Sequence, residues 1–105
     1  MPGYLLRRPE VFCDLQSHAN RIALHDKHQA VRFLEACEAT FDMLRQFPEM
    51  GALAPDNRLA DAGVRQWRIK GFNNYLIFYR TFDSNVEIIR VVHSRQSWDD
   101  VLSAL

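Results

Sequence analysis

The sequence predicts a single α+β domain over residues 1–105: an antiparallel β-sheet with an N-terminal helical hairpin packed on it, in the order βααβββ with a short closing helix. Three observations carry that prediction. Apolar residues recur at helical spacing through the first half, three runs of β-branched and aromatic residues fill the second, and the links between those runs are short enough for hairpins. With 105 residues, 48% of them hydrophobic, the chain supplies one compact core and no second domain.

Each element has a local reason. The run YLLR, residues 4–7, is stopped by Arg8-Pro9 and reads as a strand followed by a proline at the first helical position. Val11, Phe12, Leu15, Ala19, Ile22 and Ala23 then form one apolar stripe. The break falls at LHDKHQ, where Asp26 and Gln29 have the spacing of a capping box. Ala30, Phe33, Leu34, Cys37, Phe41 and Leu44 continue the helical period as far as Phe47, and Pro48 ends it. So short a link makes the two helices antiparallel. Residues 48–63, with two prolines and two glycines, form a loop with a brief helical turn near NRLADA.

VRQWRIK, YLIFYRTF and VEIIRVVH follow as an antiparallel meander, turned by GFNN and DSN, with Asn85 expected at the left-handed position of a three-residue loop. The last two runs are apolar on both faces, as central strands covered by helices on one side and partly occluded on the other would be. SWDDVLSAL closes the chain, with Ser97 as cap and Asp99 and Asp100 in the first turn.

Thirteen Lys and Arg balance thirteen Asp and Glu, and the pI is near 6.9, so no bulk charge draws the molecule onto nucleic acid or membrane. The charge is nonetheless uneven. Residues 10–56 hold four basic and eight acidic side chains, whereas residues 58–95 hold seven and three. No membrane span and no signal-peptide pattern are visible, and a cytoplasmic protein is expected. Cys13 and Cys37 are too few and too far apart for a disulfide scaffold or a CxxC pair, and are expected as buried thiols. His25 and His28 suggest no third metal ligand, so neither metal nor cofactor is expected.

The unusual feature is a set of basic groups, Arg80, Arg90, His93 and Arg95, threaded through the most apolar hairpin. The RPE helix start, QAVRFLE, LRQFPEMG, VRQWRIKGFNNYLIFYR and VEIIRVVHSRQSW together span almost the whole chain. In that combination the sequence resembles the RelE/ParE superfamily of type II toxin-antitoxin toxins, and the ParE branch more closely than the RelE branch. The resemblance implies a toxin neutralised by an adjacent antitoxin of ParD-like kind in a hetero-oligomer. A ParE-like protein inhibits DNA gyrase by binding; a RelE-like one cuts messenger RNA on the ribosome.

Chemistry weighs the two. A metal-independent ribonuclease needs a base, an acid and cations at the phosphate, roles open to Arg68, Lys70, Arg80, His93 and Arg95. Where RelE-type enzymes carry an aromatic hydroxyl or histidine near the C-terminus, this chain carries Trp98, whose indole only donates. Arg80 and Arg90 share parity on adjacent strands and are expected on one sheet face, to meet a phosphate, an acidic peptide, or Glu87, Asp99 and Asp100. Tyr75 and Tyr79 read as packing. A neutral pI favours a protein target over RNA. The leading expectation is a binding toxin without catalytic residues, meeting its partners through Arg65, Trp67, Arg68, Lys70, Arg80, Arg90, Arg95 and Trp98. The alternative is a nuclease using Arg80, His93 and Arg95.

Overall fold

Pro9 starts the first helix, and from it the chain builds two helical layers against one sheet. The computed structural model describes residues 3–105. The elements are β1 (Leu5–Arg7), α1 (Pro9–Ala23), α2 (Lys27–Gln46), β2 (Ala52–Leu53), α3 (Asn57–Asp61), β3 (Arg65–Ile69), β4 (Phe72–Phe82), β5 (Asn85–His93) and α4 (Trp98–Leu102). Local signals set several boundaries. Asp26 Oδ1 accepts the His28 and Gln29 amides at 2.9 and 3.2 Å, capping α2, and Ser97 caps α4 through the Asp99 amide.

The sheet runs β1-β5-β4-β3-β2. It is antiparallel throughout except that β1 lies parallel to β5, with Leu5 opposite Val86 and Arg7 opposite Ile88. On one face Val11, Leu15, Phe33, Cys37, Phe41 and Leu44 of the helical hairpin pack on Ile69, Ile77, Tyr79, Ile88 and Val91. On the other, Leu59 of α3 and Val101 of α4 join Phe78, Ile89 and Val92. That second layer explains why β4 and β5 are apolar on both faces. Full burial of each such side chain contributes about 1.5–3 kcal/mol.

Four local expectations need correction. The β4–β5 turn has two residues rather than three: Phe82 pairs with Asn85, while Asp83 and Ser84 take positive φ values of 47° and 68°. Asn85 instead lies in β5, where its Oδ1 accepts the Tyr4 amide at 2.8 Å. Cys13 is exposed, whereas Cys37 is fully buried and burial pushes its thiol up to about 12. Phe12, counted in the α1 stripe, is exposed. The structure also adds β2 within the loop.

Candidate interaction surface

Both outer flanks of the sheet end in a short strand, and the site residues sort by what lies beyond it. Along β5, β1 stops opposite Ile88, after a last contact from the Arg8 amide to the Ile88 carbonyl at 3.1 Å. Helix α1 takes over from there. Asp14 Oδ2 accepts the Val91 amide at 3.0 Å, and one turn later His18 Nε2 donates to the Val91 carbonyl at 2.8 Å. Burial holds the His18 imidazole below its ordinary value, against the opposing pull of that backbone bond.

Arg90 is drawn into the same seal. Its Nε and Nη2 each reach an Asp14 carboxylate oxygen at 2.7 Å, and Nη1 donates to the Asp100 carbonyl at 2.8 Å. Arg80 pairs with Glu87 at 3.1 Å, and Glu87 also meets Arg8 at 3.4 Å. Of the alternatives for the two arginines, Arg80 takes the pairing with Glu87, while Arg90 takes Asp14, a partner the sequence does not suggest, so they form no joint patch. A bulge is part of the reason: Phe78 faces Arg90 but Tyr79 faces Ile88, so Ile89 is an extra residue that shifts the register between the two arginines. Nor does the fold assemble Arg80, His93 and Arg95. Arg80 faces Glu87 near the turn and His93 faces Tyr75 at the far end of β4, roughly 16 Å along the strand.

The opposite flank is different. Strand β2 covers only Arg65 and Gln66, leaving Trp67, Arg68 and Ile69 without a neighbouring strand on their outer side. A cavity of about 500 Å³ wraps around this edge, between Met43 of α2, Met50, Gln66, Trp67, Arg68 and Lys70. The Gln66 Oε1 is buried in the fold with no hydrogen-bond partner among the described residues. Arg68 and Lys70 are exposed and enter no ion pair among those residues. Trp67 is half-buried, its inner part packed on the hairpin-side core. The expected partner set therefore divides.

Arg65 belongs to the frame of this edge, donating to the Gly51 carbonyl at 2.6 Å. Tyr79 completes it: its hydroxyl donates to the Pro48 carbonyl at 2.9 Å and accepts the Gly51 amide at 2.8 Å. A Cβ on Gly51 would stand 2.5 Å from that hydroxyl and 2.6 Å from the Gln66 carbonyl, so only glycine fits. Arg95 and Trp98 lie away from β3, Arg95 just past the end of β5 and Trp98 partly exposed on α4 with its ring edge-on to Phe78 at 5.7 Å. Gln66, Met43 and Met50 had no distinguishing mark in the sequence, and Asp14 and His18 looked like ordinary helix residues.

Residues 6–98 match the family model described as the ParE toxin of the type II toxin-antitoxin system, parDE. The chain belongs to the ParE toxin family. It is thus a toxin of a type II toxin-antitoxin system, with an antitoxin as its partner. Among solved structures, a chain of the chromosomal ParDE TA system from P. aeruginosa shares the fold of this ParE-family member, with a TM-score of 0.69 at 18% identity. The match covers 86% of this chain and 94% of that one. No protein of curated function matches the sequence. Among the described residues of the toxin, no helix is long and apolar enough to cross a membrane.

Proposed function

We propose that this toxin acts in the cytoplasm by binding and inhibiting DNA gyrase, and that a ParD-like antitoxin neutralises it by docking along the open edge of β3. The observation that carries the docking surface is the unpartnered strand edge at Trp67–Ile69, beside a cavity lined by Gln66, Trp67, Arg68 and Lys70. An extended segment laid on that edge gains main-chain hydrogen bonds, and its side chains reach the pocket. Arg68 and Lys70 suit an acidic segment, and the half-buried Trp67 supplies an aromatic anchor.

Binding rather than cleavage is favoured because Arg80 is consumed by Glu87 and stands far from His93, which leaves the expected nuclease trio unassembled. A supercoiling assay with purified gyrase tests the reading. The toxin should stop supercoiling, and an equimolar amount of the antitoxin encoded beside it should restore it. Normal gyrase turnover at saturating toxin would overturn the proposal, and cleavage of message in a translating extract would install the nuclease reading instead.

A further inference from the structure

A second cavity, of about 530 Å³, opens where α1 passes the end of the sheet, and neither the antitoxin nor the gyrase reading uses it. Its walls come from separate parts of the chain: His18 and Arg21 from α1, Tyr75 from β4, and His93 and Arg95 from the end of β5 and the turn beyond. The charge inside is one-sided. Asp14 is the one carboxylate in the lining, and it is spent on Arg90 and the Val91 amide. Arg21 and Arg95 line the same space, are exposed, and enter no ion pair among the described residues.

The groups between them are held in fixed orientations. His93 Nδ1 accepts the Arg95 amide at 3.1 Å, so the neutral ring carries its proton on Nε2. The Gln96 side chain accepts the His93 amide at 2.8 Å and secures the turn that presents Arg95. Tyr75 stands edge-on between two imidazoles, 5.0 Å from His18 and 5.1 Å from His93. Two guanidinium forks that enter no ion pair among the described residues, and a histidine with an oriented N–H, therefore line one cleft from two sides, α1 and the end of β5.

We propose that this cleft is an oxyanion site that takes a phosphate monoester group, with Arg21, Arg95 and the His93 Nε2–H as its donors. A single guanidinium fork satisfies a planar carboxylate. Donors on two sides of a cleft instead match the several free oxygens of a tetrahedral phosphoryl group. The proposal concerns binding alone and no bond is made or broken. It is independent of the gyrase reading, since either can fail while the other stands.

The test is an NMR titration of the full chain at constant ionic strength, following the imidazole signals of His18 and His93 and the Arg95 Nε–H. Inorganic phosphate is the first probe, adenosine 5′-monophosphate the second, and chloride the control. Both phosphates should shift the His93 and Arg95 signals saturably. Arg21→Gln and Arg95→Gln should each weaken the apparent affinity at least about tenfold, the effect of removing one charge-assisted fork, with unchanged melting temperatures. Arg95→Lys should recover only part of the loss, because the charge returns without the fork. Tighter binding of the nucleotide would assign the site to nucleotide phosphates, and equal binding to the bare phosphoryl group. Shifts that grow without saturation, or that match those of chloride, or that survive both glutamine variants, would overturn the assignment.

Discussion

Strands β5 and β3 meet the same difficulty on opposite sides of the sheet, since each extends beyond the short strand that covers its outer edge. On β5 the uncovered length is sealed from within: a carboxylate and an imidazole one helical turn apart on α1 replace the missing strand, and Arg90 neutralises the carboxylate. On β3 nothing equivalent arrives among the described residues. The edge borders a cavity lined by Arg68 and Lys70, two cations that enter no ion pair among the described residues. Uncovered edges invite pairing with other chains. A protein that closes one and leaves the other open has room for a partner at a defined place.

The largest effect should come from unsealing β5. Asp14→Ala strands the Arg90 guanidinium and the Val91 amide together, in a pair whose side chains are only 16% and 9% exposed. Urea denaturation should show a loss of about 3 kcal/mol, the scale of a buried pair deprived of one member. A loss below half that figure would mean that solvent substitutes readily and the seal is weak. Next comes the frame of the open edge. Tyr79→Phe leaves the Gly51 amide and the Pro48 carbonyl unsatisfied and should cost about 1–3 kcal/mol. Hydrogen exchange should then quicken at Ala52, Leu53 and the residues facing them while β5 amides are unchanged. Uniform quickening would argue against a local role.

Acid should attack the sealed edge selectively. Burial lowers the His18 pKa from 6.5, so below that value the unfolded chain takes up a proton that the folded chain refuses. Stability due to neutral His18 is fully present above pH 6.5 and drains away as pH falls through the lower folded value. Melting temperatures measured from pH 7.5 downward should therefore fall faster in the natural protein than in His18→Gln, and parallel curves would refute the coupling. The smallest change in stability is expected on the open flank. Arg68→Ala and Lys70→Ala, both at exposed positions, should shift stability by no more than about 0.5 kcal/mol while weakening antitoxin binding in calorimetry. Undiminished affinity in the double variant would remove β3 as the docking edge.

What could be read from the sequence was whatever neighbours in the chain determine. The α1 and α2 stripes, the Asp26 and Ser97 caps and the three long strands all follow from spacing or from side chains a few residues apart. Cys13, expected as a buried free thiol, is two residues, about 200° of helix, from Val11 and so points away from the buried stripe. The sequence places the β4–β5 turn correctly at DSN but predicts three residues instead of two, because two successive non-glycine residues at positive φ are uncommon. The site failed to show where partners are distant. Arg90 finds its acid 76 positions away on a helix, and no local pattern distinguishes Asp14 from the other polar residues of α1. The two-residue β2 carries too short a pattern to register, yet it defines where the open edge begins.

The parallel contact of β1 with β5 has a temporal consequence. Leu5 finds its place only beside Val86, so the first strand to leave the ribosome waits for the last one. Such long-range closure is slow, and until it occurs the helical hairpin has no sheet on which to bury its apolar stripe. Nascent chains should thus stay open to protease until β5 has emerged, so the surfaces that the folded sheet presents come into being only at the end of synthesis.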